Sequence, residues 1–129
     1  MPSNPPPRVL CVDDDEDSRE MLSALLKFSQ IETTAVATAA QAMSSIEGER
    51  FDLYLLDAWL PDLSGFDLCR QIRNLDPQTP ILFFSGAAYE ADKKRGIDAG
   101  ANGYVIKPDI AGLLGSITQF VFHEDNVAA

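Results

Sequence analysis

Cysteine, histidine and tryptophan are nearly missing from these 129 residues, which hold two cysteines, one histidine and one tryptophan. So few cysteines exclude a disulfide framework and fit a reducing compartment. Cys11 falls in an expected buried strand and Cys69 on an expected helix, and neither has a neighbouring histidine, which disfavours nucleophilic thiol chemistry. The one histidine, His123, is expected to be exposed near the C-terminus. Basic side chains are also scarce: 10 Lys and Arg stand against 20 Asp and Glu, a net charge of −10. No cationic patch is left to bind a phosphate backbone, so nucleic-acid binding by this chain is not expected. Basic protein partners are favoured instead. No apolar run approaches the roughly 20 residues that cross a bilayer, so no membrane span is expected.

The chain opens Met1-Pro2-Ser3-Asn4-Pro5-Pro6-Pro7, without the basic and apolar regions of a signal peptide. That opening reads as a Pro-rich extended leader, and a cytoplasmic location is expected. A frayed tail is expected over 124–129, leaving a single domain over 8–123.

Within that domain, short apolar strands alternate with helical patterns. Glu16 to Lys27 places Met21, Leu22, Leu25 and Leu26 on one face. Thr38 and Gln41 form a capping-box pattern ahead of Ala39, Ala42, Met43 and Ile46, and Gly48 ends that helix. Ser64 caps a third helix with Phe66, Cys69 and Ile72 inward. Glu90 to Ala99 is a poor helix, with Ala91 and Ile97 almost its only inward candidates, and it is expected to move easily. Ile110 to Phe122 is the last helix, weakened by Gly112 and Gly115. This alternation predicts a doubly wound, parallel α/β sheet whose crevice lies beyond the carboxyl ends of the strands.

Polar residues sit where that crevice forms. Asp13 and Asp14 follow Val9 to Val12, Asp57 follows Leu53 to Leu56, Ser85 follows Ile81 to Phe84, and Lys107 follows Tyr104 to Ile106. Only the apolar segment from Ile31 to Ala37 ends without such a group. Carboxylates about 5 Å apart repel by roughly 3 kcal/mol at an effective dielectric near 20, so three of them call for a cation. The hard oxygen donors point to Mg²⁺, with Mn²⁺ possible, rather than zinc. A carboxylate can also be a nucleophile toward phosphorus, and phosphoryl transfer needs positioned counter-charges more than a base.

Val12-Asp13-Asp14-Asp15, Leu56-Asp57, Leu60-Pro61-Asp62-Leu63-Ser64-Gly65, Phe84-Ser85-Gly86 and Gly103-Tyr104-Val105-Ile106-Lys107-Pro108 together resemble the receiver domain of two-component response regulators, from about Val9 to Phe122. The resemblance implies a flavodoxin-like fold of five parallel strands in the order 2-1-3-4-5 with five helices. It implies Asp57 as phosphoacceptor for a histidine kinase or phosphotransfer protein. Asp13, Asp14, Asp57 and the backbone carbonyl of Trp59 would hold the metal, Ser85 and Lys107 would bind the phosphoryl group, and Ser85 with Tyr104 would switch the surface near the fourth helix and fifth strand for an effector protein. The lone His123 is not read as a phosphodonor. A monomer or weak dimer is expected, and no multiple-turnover enzyme activity.

Two other classes share parts of this pattern. A haloacid-dehalogenase-type phosphohydrolase also uses a strand-end Asp, a Ser or Thr and a Lys, and Asp13-x-Asp15 imitates its opening motif. It further requires a later acidic pair, whereas Asp109 stands alone after Lys107. A flavodoxin-like nucleotide or flavin binder needs Ser, Thr and Gly in its first loop, where three aspartates would repel phosphate.

Overall fold

The computed structural model describes residues 5–122. His123, the tail over 124–129 and the first four residues of the leader lie outside them; Pro5 to Pro7 have no regular structure. Strands and helices alternate through the described chain: β1 (Arg8–Val12), α1 (Glu16–Phe28), β2 (Glu32–Val36), α2 (Ala39–Gly48), β3 (Leu53–Leu56), α3 (Gly65–Leu75), β4 (Ile81–Ser85), α4 (Glu90–Asp98), β5 (Gly103–Ile106) and α5 (Ile110–Phe122). The strands form one parallel sheet in the order β2-β1-β3-β4-β5. Strand order reverses at β1, which lies between β2 and β3, and a crevice opens there at the carboxyl ends.

Strand residues alternate between two cores because successive side chains point to opposite faces. Leu10, Val12, Tyr54, Leu56, Ile81 and Phe83 face α2 and α3, meeting Ala42, Phe66, Cys69 and Ile72. Val9, Cys11, Leu53, Leu55, Leu82 and Phe84 face α1 and α5, meeting Leu22, Leu26, Leu113, Ile117 and Val121. Burial on both faces explains the unbroken apolar runs of β3 and β4.

Local signals set the helix starts. Asp15 caps α1 by accepting from Ser18 N at 2.9 Å, and the Ser64 hydroxyl accepts from Asp67 N at the head of α3. Thr38 caps α2 through Gln41 N, but the Gln41 side chain accepts from Ala37 N, one residue before the capping box expects. Two expectations of burial are corrected. Met21 is exposed, because Leu22 and Leu26 alone reach the core of α1. Ala91 and Ile97 also face outward, and α4 turns Gly96 to the core instead, followed by its C-cap residue Ala99.

Candidate functional site

Backbone bonds between neighbouring strands place the polar residues just past the sheet edge. Asp13 N donates to Val36 O at 3.0 Å, Asp57 N to Val12 O at 2.9 Å, and Lys107 N to Ser85 O at 3.0 Å. Each strand end is therefore pinned to its neighbour, and the side chains that follow are delivered to one crevice. Carboxylate oxygens of Asp13, Asp14 and Asp57 lie within 4.8 Å of one another. Asp13 is 2 % exposed, whereas Asp14 is open to solvent and Asp57 is half-buried. The Lys107 ammonium donates to Asp13 Oδ2 at 2.8 Å and to Asp57 Oδ2 at 3.2 Å, across a span of 94 and 50 residues.

The electrostatics favour a further cation. Burial pushes the Asp13 carboxyl above its usual range, against the pull of Lys107 and of the Asp15 N–H. Lys107, whose own burial acts downward, is nevertheless held above its ordinary value by the Asp13 hydrogen bond and the Asp57 charge. One ammonium thus bonds to two of the three carboxylates and leaves Asp14 without it. Cys11 lies beneath them, and burial lifts its thiol to about 12, so it offers no thiolate. The remaining donors are hard oxygens, which fit Mg²⁺ or Mn²⁺.

The loop after β3 is shaped by a close approach. Gly65 N donates to Ala58 O at 2.7 Å, and a Cβ on Gly65 would stand only 1.9 Å from the Asp57 carbonyl oxygen. No side chain fits there. Trp59 pairs with Ser64 in an isolated antiparallel bridge, which closes the loop and leaves the Trp59 ring 53 % exposed at its lip. Asp62, which the sequence marks only as a turn residue, accepts from Ala39 N and Ala40 N at 3.0 Å each. It fastens this loop to the first turn of α2, and those two bonds hold its carboxyl below the usual range.

On the other side of the crevice Ser85 is buried, and its hydroxyl accepts from Ala87 N at 3.1 Å. Tyr104 is half-buried, stacked on Phe83 with ring centroids 5.4 Å apart, and its hydroxyl donates to Ala87 O at 2.7 Å. The Lys107–Pro108 peptide is cis. The structure thus brings Asp13, Asp14, Asp57 and Lys107 together directly, while Ser85 and Tyr104 share the segment around Ala87 beside them.

The family model for the response regulator receiver domain matches residues 9–118. The chain belongs to that family. Among related sequences, this receiver is 37 % identical over 101 residues to the DNA-binding response regulator MtrA of Mycolicibacterium smegmatis, covering 78 % of this chain and 44 % of that protein. It is 35 % identical over 103 residues to the response regulator MprA of Mycolicibacterium vanbaalenii, covering 80 % and 45 %. The receiver thus spans under half the length of these curated relatives. Among solved structures, a CheY-like receiver domain protein of Methanospirillum hungatei superposes with a TM-score of 0.87 at 30 % identity, covering 94 % of this chain and 98 % of that one. The non-phosphorylated HemR receiver domain of Leptospira biflexa gives 0.83 at 31 %, covering 89 % and 94 %. No helix among the described residues is long and apolar enough to cross a membrane.

Proposed function

We propose that this receiver accepts a phosphoryl group on Asp57 from the phosphohistidine of a histidine kinase or phosphotransfer protein, in a Mg²⁺-dependent reaction. The observation that carries this reading is the convergence of three carboxylates within 4.8 Å of one another, two of them bonded to a single ammonium. An Asp57 carboxylate oxygen attacks phosphorus, the O–P bond forms as the histidine N–P bond breaks, and the departing imidazole takes up a proton. Asp57 is suited to this role because it ends the strand next to β1, between Asp13 and Lys107. Its other oxygen accepts from Ala58 N at 2.7 Å, which fixes the carboxylate plane.

Asp13, Asp14, Asp57 and the Trp59 carbonyl would hold the metal, which when bound supplies positive charge for the phosphoryl oxygens. Lys107 then meets one phosphoryl oxygen and the Ser85 hydroxyl another. Ser85 can donate its proton while its oxygen still accepts from Ala87 N, so a shift of that hydroxyl toward the phosphoryl group draws on Ala87, and Tyr104, bonded to Ala87 O, feels the change. The α4 and β5 surface is thereby altered for an effector protein. The receiver works in the cytoplasm as a monomer or weak dimer and labels once per molecule rather than turning over substrate.

Labelled acetyl phosphate with Mg²⁺ tests the assignment. Wild-type protein incorporates about one acid-labile phosphoryl group per chain, Asp57→Asn incorporates none, and chelation of Mg²⁺ abolishes labelling. Retained labelling of Asp57→Asn at the wild-type rate, or sustained hydrolysis of excess p-nitrophenyl phosphate, refutes the reading.

A further inference from the structure

Four aromatic rings run in a row under α4. Trp59 meets Phe66 edge-on with centroids 5.6 Å apart, Phe66 lies 5.2 Å from Phe83, and Phe83 stacks on Tyr104 at 5.4 Å. Two successive residues of α4 touch the two ends of this row. The Arg95 guanidinium lies 4.5 Å from the Phe66 centroid and 5.6 Å from that of Trp59. Gly96 sits on the other end, where a Cβ would come within 3.0 Å of the Tyr104 ring and 3.2 Å of Phe83. Lys93 and Lys94 of the same helix pair with Glu90 and Asp98, whereas Arg95 has no carboxylate partner among the described residues. Its charge rests on ring faces. One of those rings stands two positions beyond Asp57, on the residue whose carbonyl the reading above assigns to the metal.

We propose that Arg95 is a positioning residue: by clamping Trp59 against Phe66 it sets the loop after β3 so that the Trp59 carbonyl is presented to Mg²⁺, and it ties the occupancy of the site to α4 by a route separate from Ser85 and Tyr104. The coupling rests on the metal and phosphoryl reading above; the clamp itself does not. Its sign is diagnostic. A guanidinium near a bound dication repels it, so removing the charge alone would tighten Mg²⁺ binding. Losing the clamp would weaken it.

The single tryptophan makes the test direct, because all indole emission of the full chain comes from Trp59. Arg95→Met keeps a long stem without charge, and Arg95→Lys keeps the charge. Without metal, Arg95→Met is expected to alter the Trp59 emission and near-ultraviolet circular dichroism. Its Mg²⁺ midpoint, read by the same emission, should rise about two- to five-fold, the equivalent of one exposed cation–π contact. Arg95→Lys should recover part of both. Amide exchange over residues 90–98 should respond less to Mg²⁺ plus acetyl phosphate in Arg95→Met than in wild type. An unchanged metal-free spectrum, or an unchanged or lowered Mg²⁺ midpoint in a responsive background, overturns the clamp. Absence of any saturable Mg²⁺ response in wild type instead overturns the metal reading, and the coupling falls with it. A fold-compromised Arg95→Met would show in its far-ultraviolet spectrum, and the decision then passes to Arg95→Lys, whose Mg²⁺ midpoint must lie between one and about five times that of wild type; a lowered midpoint overturns the clamp.

Discussion

Carboxylates carry much of the local order of this receiver, and the same side chain does different work according to what its oxygens meet. Asp13 is costly where it lies and is tolerated because Lys107 and the Asp15 N–H reach it. Asp76 is the opposite case. It accepts from the Tyr54 hydroxyl and from Gln78 N and Thr79 N at 3.0–3.1 Å, in the turn that leads to β4. Partial burial acts upward on its carboxyl, but the Thr79 and Gln78 hydrogen bonds outweigh it and bring the pKa to about 2. A folded-state value below the unfolded one means that the contribution is complete above about pH 4 and is lost as pH falls toward 2. Asp76→Asn should therefore lower the unfolding free energy by about 1–2 kcal/mol at pH 7. Urea titrations at pH 7, 4 and 2 should show the gap from wild type closing only in the most acid sample. A gap of constant size would sink this account. The site aspartates were legible because each follows an apolar strand. The hold of Asp62 on α2 was not, since its partners lie 22 and 23 residues away, and Asp76 joins a local turn at Gln78 and Thr79 to Tyr54, 22 residues distant.

Among the elements, α4 and α5 depart most from a simple amphipathic rule, for different reasons. α4 buries small residues because it lies close on the Phe83 and Tyr104 rings, where a larger side chain does not fit. A hydrophobic stripe is the wrong signal for such a helix, and its apolar residues Ala91 and Ile97 lie on the exposed side. α5 does show the expected stripe in Leu113, Ile117 and Val121, and its two glycines differ sharply. A Cβ at Gly115 meets nothing within 4 Å, whereas at Gly112 it would press to 2.2 Å from the Asp109 carboxylate. That carboxylate accepts from Gly112 N at 2.9 Å and begins the helix. Gly115→Ala should raise stability by about 0.5–1 kcal/mol through helix propensity and a less free unfolded chain. Gly112→Ala should show no such gain, because the new methyl displaces the cap. Thermal unfolding of both variants beside wild type decides it; equal gains would mean that the Asp109 contact is irrelevant.

Across the whole molecule, a net charge of −10 on 129 residues acts against compaction, and three of its carboxylates meet in the crevice. Sodium chloride should raise the melting temperature modestly by screening. Mg²⁺ at matched ionic strength should raise it further, by the equivalent of up to about 2.7 kcal/mol at a hundredfold excess over Kd. The excess should shrink in Asp14→Asn, and an identical Mg²⁺ response in both proteins would argue against a specific cation site. Much of this architecture was written in short-range pattern. Period-two burial, period-3.6 stripes and a polar residue at the end of four of the five strands are properties of neighbouring positions, so the alternating fold and the roster of crevice residues could be read from the chain alone. That these residues meet in one crevice followed from the parallel sheet, and the strand order from the resemblance to receiver domains, but the contacts did not. The reach of Lys107 to both Asp13 and Asp57, the hold of Asp62 on α2 and the seat of Arg95 over Trp59 and Phe66 join positions that are far apart in the chain. Such distances are set only when helices pack on both faces of the sheet, because packing fixes the separations on which Coulomb and ring interactions depend.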